Sequence, residues 1–268
     1  MIKDLLATEQ RLPIERWCRD RARAVAMPDG RTLCRVLGVL PMVVSLDDYS
    51  VAPHLALDGF WELWLSMRLA RGLRPGWQCI DVGANCGYFT LLMALLTGAE
   101  VEAWEPMADL TALIDQTIRM NGLGKSVSIK ECAAGASSKT DRIRRAPNDY
   151  GSASLITSYE PKGVTQRLVE VRRIDEATTL SRVDFIKIDA EGYEPQVWAG
   201  MEKILKRGEP KAMLMEWAPS RYDDPKRFFD QIRHDGFSVS VVDSSGGLQK
   251  PVGDITAIEG HHDLWLER

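Results

Sequence analysis

Apolar and polar positions follow a regular alternation over most of the chain after residue 76. Short apolar runs, typical of buried strands, are followed by longer segments whose apolar residues recur with a helical period. The pattern predicts strands at 77–82, 101–105, 127–132, 183–189 and 212–217, and helices at 88–97, 107–120, 194–207 and 225–235. Strands that alternate with helices indicate an α/β fold with a mostly parallel sheet covered on both faces. Two closing strands near 237–242 and 263–267 have no helix between them, so we expect one to be an antiparallel edge strand.

The first 75 residues precede this alternation and predict a lobe that contains helices and strands. Its predicted elements are a helix at 11–26, strands at 31–37 and 42–46, a loop that carries His54, and an aromatic-rich helix at 60–70. We therefore predict two domains, with residues 1–75 as an N-terminal lobe on the lid or substrate side and residues 76–268 as the main domain. An irregular insert at about 136–175 interrupts the second domain, and its glycine and serine segment at 151–154 is a candidate mobile lid.

Composition and charge argue against several classes of function. The chain has 268 residues, of which 45% are hydrophobic, and this is enough for one substantial core. A net charge of −4 and a pI near 5.7 argue against a general nucleic-acid binder. Five cysteines without a C-x-x-C pair are typical of reduced thiols, no apolar signal core begins the sequence, and the apolar run at 91–96 is too short to span a bilayer. We therefore expect a cytoplasmic protein without a membrane span.

The turn after the first strand of the alternation carries the first candidate chemistry. It has the sequence G-A-N-C-G from Gly83 to Gly87, so Asn85 stands where a dinucleotide-binding fingerprint has its second glycine. This difference argues against NAD and FAD. Asp81 lies just before the turn, at the strand end that faces the ligand crevice in open α/β sheets. A ligand with a charged amine and without phosphates suits Asp81 and Asn85 better.

A second acidic residue completes the prediction of the cofactor. Glu105 ends the next strand, twenty-two residues after Gly83, where it can accept hydrogen bonds from two ribose hydroxyls. An acid at each strand end with this turn between them fits S-adenosylmethionine. Its ammonium would face the region of Asp81, its carboxylate the amides of Tyr88 and Phe89 at the helix start, and its ribose Glu105. The alternative is that Asp81 caps the next helix and that Glu105 forms a surface ion pair.

A series of motifs resembles one enzyme family. The motifs are D-V-G-A-N-C-G-Y-F-T, E-A-W-E-P, Asn121-Gly122, E-C-A-A-G, D-F-I-K-I-D-A-E-G-Y-E and M-L-M-E-W, preceded by G-F-W-E at residues 59–62. This series, over about residues 40–217, resembles the FkbM-type S-adenosylmethionine-dependent methyltransferases. The resemblance implies a Rossmann-like class I methyltransferase sheet and methylation of hydroxyl groups on sugars, glycans or small secondary metabolites. By position it implies a cofactor pocket formed by Glu62, Asp81, Gly83, Ala84, Asn85, Gly87, Tyr88, Phe89, Glu105, Pro106, Ala133, Ala134 and Asp189.

Three residues are candidates for the catalytic chemistry. Asp189 ends the fourth strand beside the cofactor turn and is the first candidate for the base that takes the proton of an acceptor hydroxyl. Lys187 lies two residues earlier on the same strand face, where it can pair with a carboxylate inside the sheet and hold the geometry. A purely structural ion pair is the alternative for Lys187. His54, in the N-terminal lobe, is a candidate base from the lid side.

A divalent metal is the mechanistic alternative. Asp189 and Glu216 end strands that we expect to be neighbours, and two carboxylates on one rim can hold Mg²⁺ with waters. Catechol-type O-methyltransferases carry a third polar ligand directly after the second acid, and here that position is Trp217. They also carry a lysine three residues after the first acid, and here that position is Gly192. Both differences argue against a metal.

A function from another class also fits the cofactor motifs. The chain could be a non-catalytic cofactor-binding subunit that regulates or scaffolds a complex, with the aromatic residues Phe60, Trp61 and Trp64 as its contact patch. For the enzyme, we expect the acceptor between the main sheet, the 1–75 lobe and the 136–175 insert. The sequence leaves open which acceptor is methylated, whether an oxygen or a nitrogen receives the methyl group, and the oligomeric state.

Overall fold

In the described residues, the first part of the chain combines four helices with a small antiparallel sheet. A computed structural model of the protein describes residues 2–8, 10–156 and 163–268. The elements up to residue 72 are α1 (Ile2–Leu6), α2 (Arg11–Arg21), β1 (Ala24–Ala26), β2 (Arg31–Val36), β3 (Leu40–Ser45), α3 (Ala52–Leu57) and α4 (Leu63–Gly72). The predicted helix at 11–26 ends at Arg21 instead, because residues 24–26 pair with β2. His54 lies on α3 and not in a loop.

The second part contains the alternating elements. In chain order they are β4 (Cys79–Val82), α5 (Tyr88–Thr97), β5 (Val101–Trp104), α6 (Ala108–Met120), β6 (Val127–Lys130), β7 (Ala133–Ala134), β8 (Lys139–Arg145), β9 (Thr165–Arg172), α7 (Ile174–Ala177), β10 (Phe185–Ile188), α8 (Glu194–Ala199), α9 (Glu202–Lys206), β11 (Ala212–Trp217), α10 (Pro225–His234), β12 (Ser238–Val242), β13 (Leu248–Gln249) and β14 (His262–Glu267). None of the described helices is long and apolar enough to cross a membrane.

The main sheet has the order β13-β12-β14-β11-β10-β4-β5-β6 in the described residues. The pairs from β11 to β6 are parallel, whereas β14 is antiparallel to both β11 and β12. The α/β class with a mostly parallel sheet is therefore confirmed. The sheet does have an antiparallel edge strand, but it is β13, whereas the two predicted closing strands, β12 and β14, lie inside the sheet. Leu264 and Leu266 of β14 are fully buried, and an interior position gives them cover.

One departure from the predicted helices has a local cause. The predicted helix at 194–207 consists of α8 and α9, which are separated at Gly200. A Cβ at Gly200 would lie 2.1 Å from the carbonyl oxygen of Gly135, so the chain passes unusually close to the start of the insert there. The insert forms a separate small sheet of order β7-β9-β8 within the described residues. Residues 157–162 of the predicted insert lie outside the described residues.

The hydrophobic core extends across the predicted domain boundary. Leu6 and Cys18 from the first part belong to the same buried cluster as Phe185 and Trp265 of the main sheet. A hydrogen bond from the Val43 amide to the Thr117 hydroxyl, 3.0 Å long, also joins β3 to α6. The division into two domains stays a prediction. The described N-terminal elements pack directly on the helices and strands that surround the cofactor turn.

We predict that Trp217 is a major contributor to stability. Its side chain is fully buried, its ring lies 5.1 Å from that of Tyr222 and 5.6 Å from that of Phe228, and its indole N–H donates to the Ile255 carbonyl. Trp217→Ala should lower the free energy of unfolding by about 3–5 kcal/mol, because it leaves a cavity and an unpaired carbonyl. Urea denaturation followed by circular dichroism measures the change. Leu168→Ala, at a side chain that is 69% exposed, is the control and should change it by less than about 0.5 kcal/mol.

Candidate active site

A cleft opens at the carboxyl ends of β4, β5 and β10, where parallel sheets of this kind bind ligands. Its cavity volume is about 120 Å³, and its mouth is open to solvent. The turn after β4 and the start of α5 form one wall. Residues after β5, β6 and β10 form the others, and the segment around Tyr150 also lines the cleft.

Backbone geometry explains the composition of the turn after β4. Gly83 has φ +73°, and a Cβ there would lie 1.8 Å from the carbonyl oxygen of Asp189. The glycine therefore lets the ends of β4 and β10 meet. Asn85 also has a positive φ, +50°, and its side-chain oxygen accepts from the Cys86 amide at 2.6 Å. Gly87 caps α5 with φ +88° and packs against Ile114, so it shapes the turn without lining the cleft.

Glu105 lines the cleft as a nearly buried carboxylate. It is 4% exposed, and its two oxygens accept hydrogen bonds from the Asn85 amide at 2.9 Å and the Met107 amide at 3.0 Å. Burial raises the pKa of Glu105 to about 8, although these two N–H donors act in the opposite direction. Each carboxylate oxygen keeps a second lone pair, so the side chain can still accept from a ligand. Its place is inconsistent with the surface ion pair that was the alternative.

The three charged residues at the ends of β4 and β10 are close together. Lys187 Nζ lies 3.1 Å from Asp189 Oδ2 and 3.8 Å from Asp81 Oδ1, so the predicted pairing of Lys187 inside the sheet is confirmed. Lys187 and Asp189 line the cleft. Asp81 does not, because it is fully buried beneath the turn, where the Thr90 hydroxyl donates to its Oδ2 at 2.6 Å.

Most residues of the predicted cofactor pocket line this one cleft. They are Gly83, Ala84, Asn85, Tyr88, Phe89, Glu105, Pro106, Ala133, Ala134 and Asp189. Glu62 instead lines a smaller recess on the other side of Lys187 and Asp189, together with Glu216 and Asp263. Burial, with the charges of Asp263 and Asp189, raises the pKa of Glu62 to about 8.

His54 lies outside both cavities. Its side chain is 53% exposed, and its Nδ1 is 3.2 Å from Asp58 Oδ2 at the end of the same helix. Its ring lies 5.2 Å from that of Trp61, which does line the cleft. In this arrangement His54 faces solvent and not the residues at the end of β10.

The insert and the N-terminal elements supply cleft residues beyond those predicted from the sequence. Tyr150, Gly151 and Leu155 line the cleft, as does Val51. The nearly buried carboxylate of Asp48 joins the two segments, because it accepts from the amides of Val51 and Tyr150, each at 3.0 Å. The segment that the sequence marks as a candidate lid is thus tied down in this structure. In the sequence, the Asp-Asp-Tyr-Ser segment at 47–50 was the feature that could have indicated this contact.

Three carboxylates near the mouth form a candidate metal site. Oxygens of Asp189, Glu191 and Glu216 all lie within 4.8 Å of one another, so Glu191 joins the pair that the sequence suggested. A guanidinium nitrogen of Arg221 lies 2.6 Å from Glu191 and 3.4 Å from Glu216. The arginine thus already supplies positive charge to these carboxylates, and an ion would have to displace it. Trp217 offers no ligand, since its indole N–H donates to the Ile255 carbonyl.

Comparisons with known proteins agree with this architecture. A family model described as the methyltransferase FkbM domain matches residues 81–239. Methyltransferase sdnD from Sordaria araneosa is 23% identical over 172 residues, which are 53% of this chain and 66% of that protein. The crystal structure of methyltransferase FkbM from Methylobacillus flagellatus KT superposes with a TM-score of 0.50 and 15% identity, over 80% of this chain and 52% of that chain.

The matched fraction of each chain determines which conclusions these similarities support. The chain spans just under two thirds of the length of the curated relative and about half of the length of the solved structure. The structural similarity establishes the class I, Rossmann-like fold. The family model covers more than half of the chain and includes the cofactor turn, Glu105 and the end of β10. The chain therefore belongs to the FkbM methyltransferase domain family.

Proposed function

We propose that this protein is an S-adenosylmethionine-dependent O-methyltransferase that acts on a hydroxyl group of a sugar, a glycan or a small secondary metabolite. One observation carries the proposal: the buried carboxylate of Glu105 and the accessible carboxylate of Asp189 line the same cleft, with the Gly83 turn between them. A methyltransferase relative with an aligned sequence supports the reaction class. The hydroxyl acceptor is the finer part of the proposal.

The residues of the cleft fit the chemical groups of S-adenosylmethionine. Glu105 would accept from ribose hydroxyls, and the first amides of α5, at Tyr88 and Phe89, would hold the carboxylate at the positive end of the helix. Ala133, Ala134 and Leu155 supply apolar walls suited to the adenine. When bound, the cofactor supplies a methyl group that its sulfonium already activates.

Asp189 is the proposed base. Its side chain is 35% exposed, and Lys187 holds its Oδ2, which leaves Oδ1 to accept the proton of the acceptor hydroxyl. Losing this proton makes the oxygen a better nucleophile, and a positioned base is worth typically ~10²–10⁴-fold in rate. Alignment of the acceptor by the cleft walls can contribute ~7–11 kcal/mol more.

The packing of the aromatic patch disfavours the non-catalytic alternative. Phe60 is 7% exposed, and the guanidinium carbon of Arg19 lies 5.3 Å from the centre of the Phe60 ring. The indole N–H of Trp64 donates to Asp263, and Trp61 lines the cleft. These side chains are used within the protein and leave little surface for a partner. We therefore retain the enzyme as the proposed function.

The test of the reaction class uses labelled cofactor. The protein is incubated with methyl-labelled S-adenosylmethionine and with fractionated glycans and small metabolites, and labelled products are identified by mass spectrometry. Label on an oxygen of a sugar or metabolite would support the proposal. Label on nitrogen alone would contradict the hydroxyl acceptor, and cofactor binding without transfer to any fraction would favour the non-catalytic subunit.

We predict that affinity for S-adenosylhomocysteine rises with pH through Glu105. The carboxyl group in the free protein has a pKa of about 8, and its ionised form is the better acceptor for ribose hydroxyls. Raising the pH from 7 to 9 should therefore tighten binding by up to about tenfold, measured by calorimetry. The Glu105→Gln variant should bind S-adenosylhomocysteine less tightly. The pH dependence that remains in this variant should come from titration of the ligand's amino group. An equal pH dependence in both proteins would contradict this role of Glu105.

We predict that Asp189→Asn separates catalysis from cofactor binding. Asparagine keeps the size of the side chain but cannot take the proton, so kcat should fall by about 10²–10⁴-fold. The dissociation constant for S-adenosylhomocysteine should change by less than about threefold, because the proposed cofactor contacts of Glu105 and α5 remain. Asp115→Asn is the matched control, since Asp115 is exposed on α6 and pairs with Arg119. A fully active Asp189→Asn enzyme would remove Asp189 as the base.

We predict that chelation leaves the activity unchanged. Arg221 balances one negative charge of Glu191 and Glu216, and burial raises the pKa of both carboxyl groups, so the pair carries little uncompensated charge without a metal ion. Initial rates with and without EDTA should agree within about twofold. A loss of activity that Mg²⁺ restores would instead support the metal mechanism at Asp189, Glu191 and Glu216.

A further inference from the structure

A buried charge pair connects β4 to β10 beneath the cleft. Asp81 and Lys187 are directly opposite each other on these parallel strands, and they are 0% and 3% exposed. Charged groups at this depth are costly unless each has a partner of opposite sign. The pair therefore needs an explanation, and simple exposure to a ligand does not provide it, because Asp81 does not line the cleft.

The contacts of Asp81 point towards Lys187. Its Oδ2 accepts from the Thr90 hydroxyl at 2.6 Å, which fixes the orientation of the carboxylate. Its Oδ1 is buried and has no hydrogen-bond partner within the described part of the chain, and Lys187 Nζ lies 3.8 Å from it. Burial raises the pKa of Asp81, whereas Lys187 and the Thr90 hydroxyl act in the opposite direction. The carboxylate thus influences the cleft through the lysine.

Lys187 connects the buried Asp81 to residues of the cleft wall. Its ammonium donates to Asp189 Oδ2 at 3.1 Å and lies 5.1 Å from the centre of the Phe89 ring. Burial by itself would lower the pKa of Lys187, but the carboxylates of Asp189 and Asp81 more than offset this and keep the pKa above its ordinary value. The lysine is therefore a cation held between a buried carboxylate and a carboxylate on the cleft wall.

We propose that Asp81 is a positioning residue for methyl transfer: it holds the Lys187 ammonium, which in turn holds Oδ2 of Asp189, so that Oδ1 is presented to the acceptor. This inference rests on the proposed role of Asp189 as the base. It replaces the direct contact with the cofactor ammonium that the sequence suggested for Asp81. Without Asp81, Lys187 has one carboxylate fewer to fix it, and a displacement of the base by about 1 Å can cost about 100-fold in rate.

The decisive experiment is a double-mutant cycle on turnover, with an acceptor identified by the labelling experiment. Asp81→Asn keeps the shape of the side chain and removes its charge, and it should lower kcat by about 10–100-fold. In the Asp189→Asn background the same substitution should change kcat by less than about threefold. Asp81 is proposed to act through the Asp189 carboxylate, which this background already lacks. The dissociation constant for S-adenosylhomocysteine should stay within about threefold of the wild-type value.

Two results would overturn the proposal. Equal losses of kcat from Asp81→Asn in both backgrounds would mean that Asp81 does not act through Asp189. A tenfold or larger loss of affinity for S-adenosylhomocysteine with kcat retained would make Asp81 a cofactor ligand. Thr90→Val is a milder second variant in case Asp81→Asn fails to fold. It removes the hydroxyl that orients Asp81 and should lower kcat by about 3–10-fold, again without loss of cofactor affinity.

A measurement without acceptor separates this inference from the proposed function. Lys187→Met leaves Asp81 buried without its cation, so adding Asp81→Asn to that variant should raise its melting temperature by about 3 °C or more. The same Asp81→Asn change in the wild-type protein should lower the melting temperature. Additive effects would overturn the inference whatever the acceptor. If the proposed function fails, the wild-type protein transfers no methyl group although this coupling is present.

Discussion

The close approach of two backbones, at Gly83 and at Asp189, is the constraint on which the candidate site depends. A side chain at position 83 would overlap the carbonyl group of Asp189, and the Asp189 amide donates to the Val82 carbonyl at 3.1 Å. Because the ends of β4 and β10 meet here, the turn that starts α5 and the proposed base lie on one cleft. Without this contact, the turn proposed to bind the cofactor would have no base beside it. The proposed base would then lie away from the cofactor.

Buried charge is the second condition for this arrangement. Several carboxylates lie at the ends of the parallel strands, and each side chain has its own partner. Glu105 accepts from two backbone amides, Asp81 from the Thr90 hydroxyl, and Glu191 from Arg221. Lys187 lies between two of the acids. The proposed roles differ because the partners differ: an acid that contacts amides at the cleft wall can receive a ligand, whereas an acid beneath the turn can act only through its neighbour.

The walls of the cleft come from parts of the chain that are distant in sequence. Asp48 ties the turn before α3 to the segment around Tyr150, across about a hundred residues. The first part of the chain shares its buried cluster with the main sheet. The acceptor side of the proposed enzyme therefore depends on how these segments pack on the sheet, and the cofactor side depends mainly on the β4 turn and β5.

Features that depend on local backbone and on strand order could be predicted from the sequence. The alternating pattern predicted the α/β class, and Gly83, Asn85 and Glu105 indicated the cofactor because a strand end and a short turn place them wherever such a sheet forms. The burial and the partners of each side chain became known from the folded structure. It placed Asp81 beneath the cleft, His54 at the surface, Arg221 beside Glu191 and β14 inside the sheet. These outcomes depend on which distant segments cover a residue, and a residue's type and spacing do not contain that information.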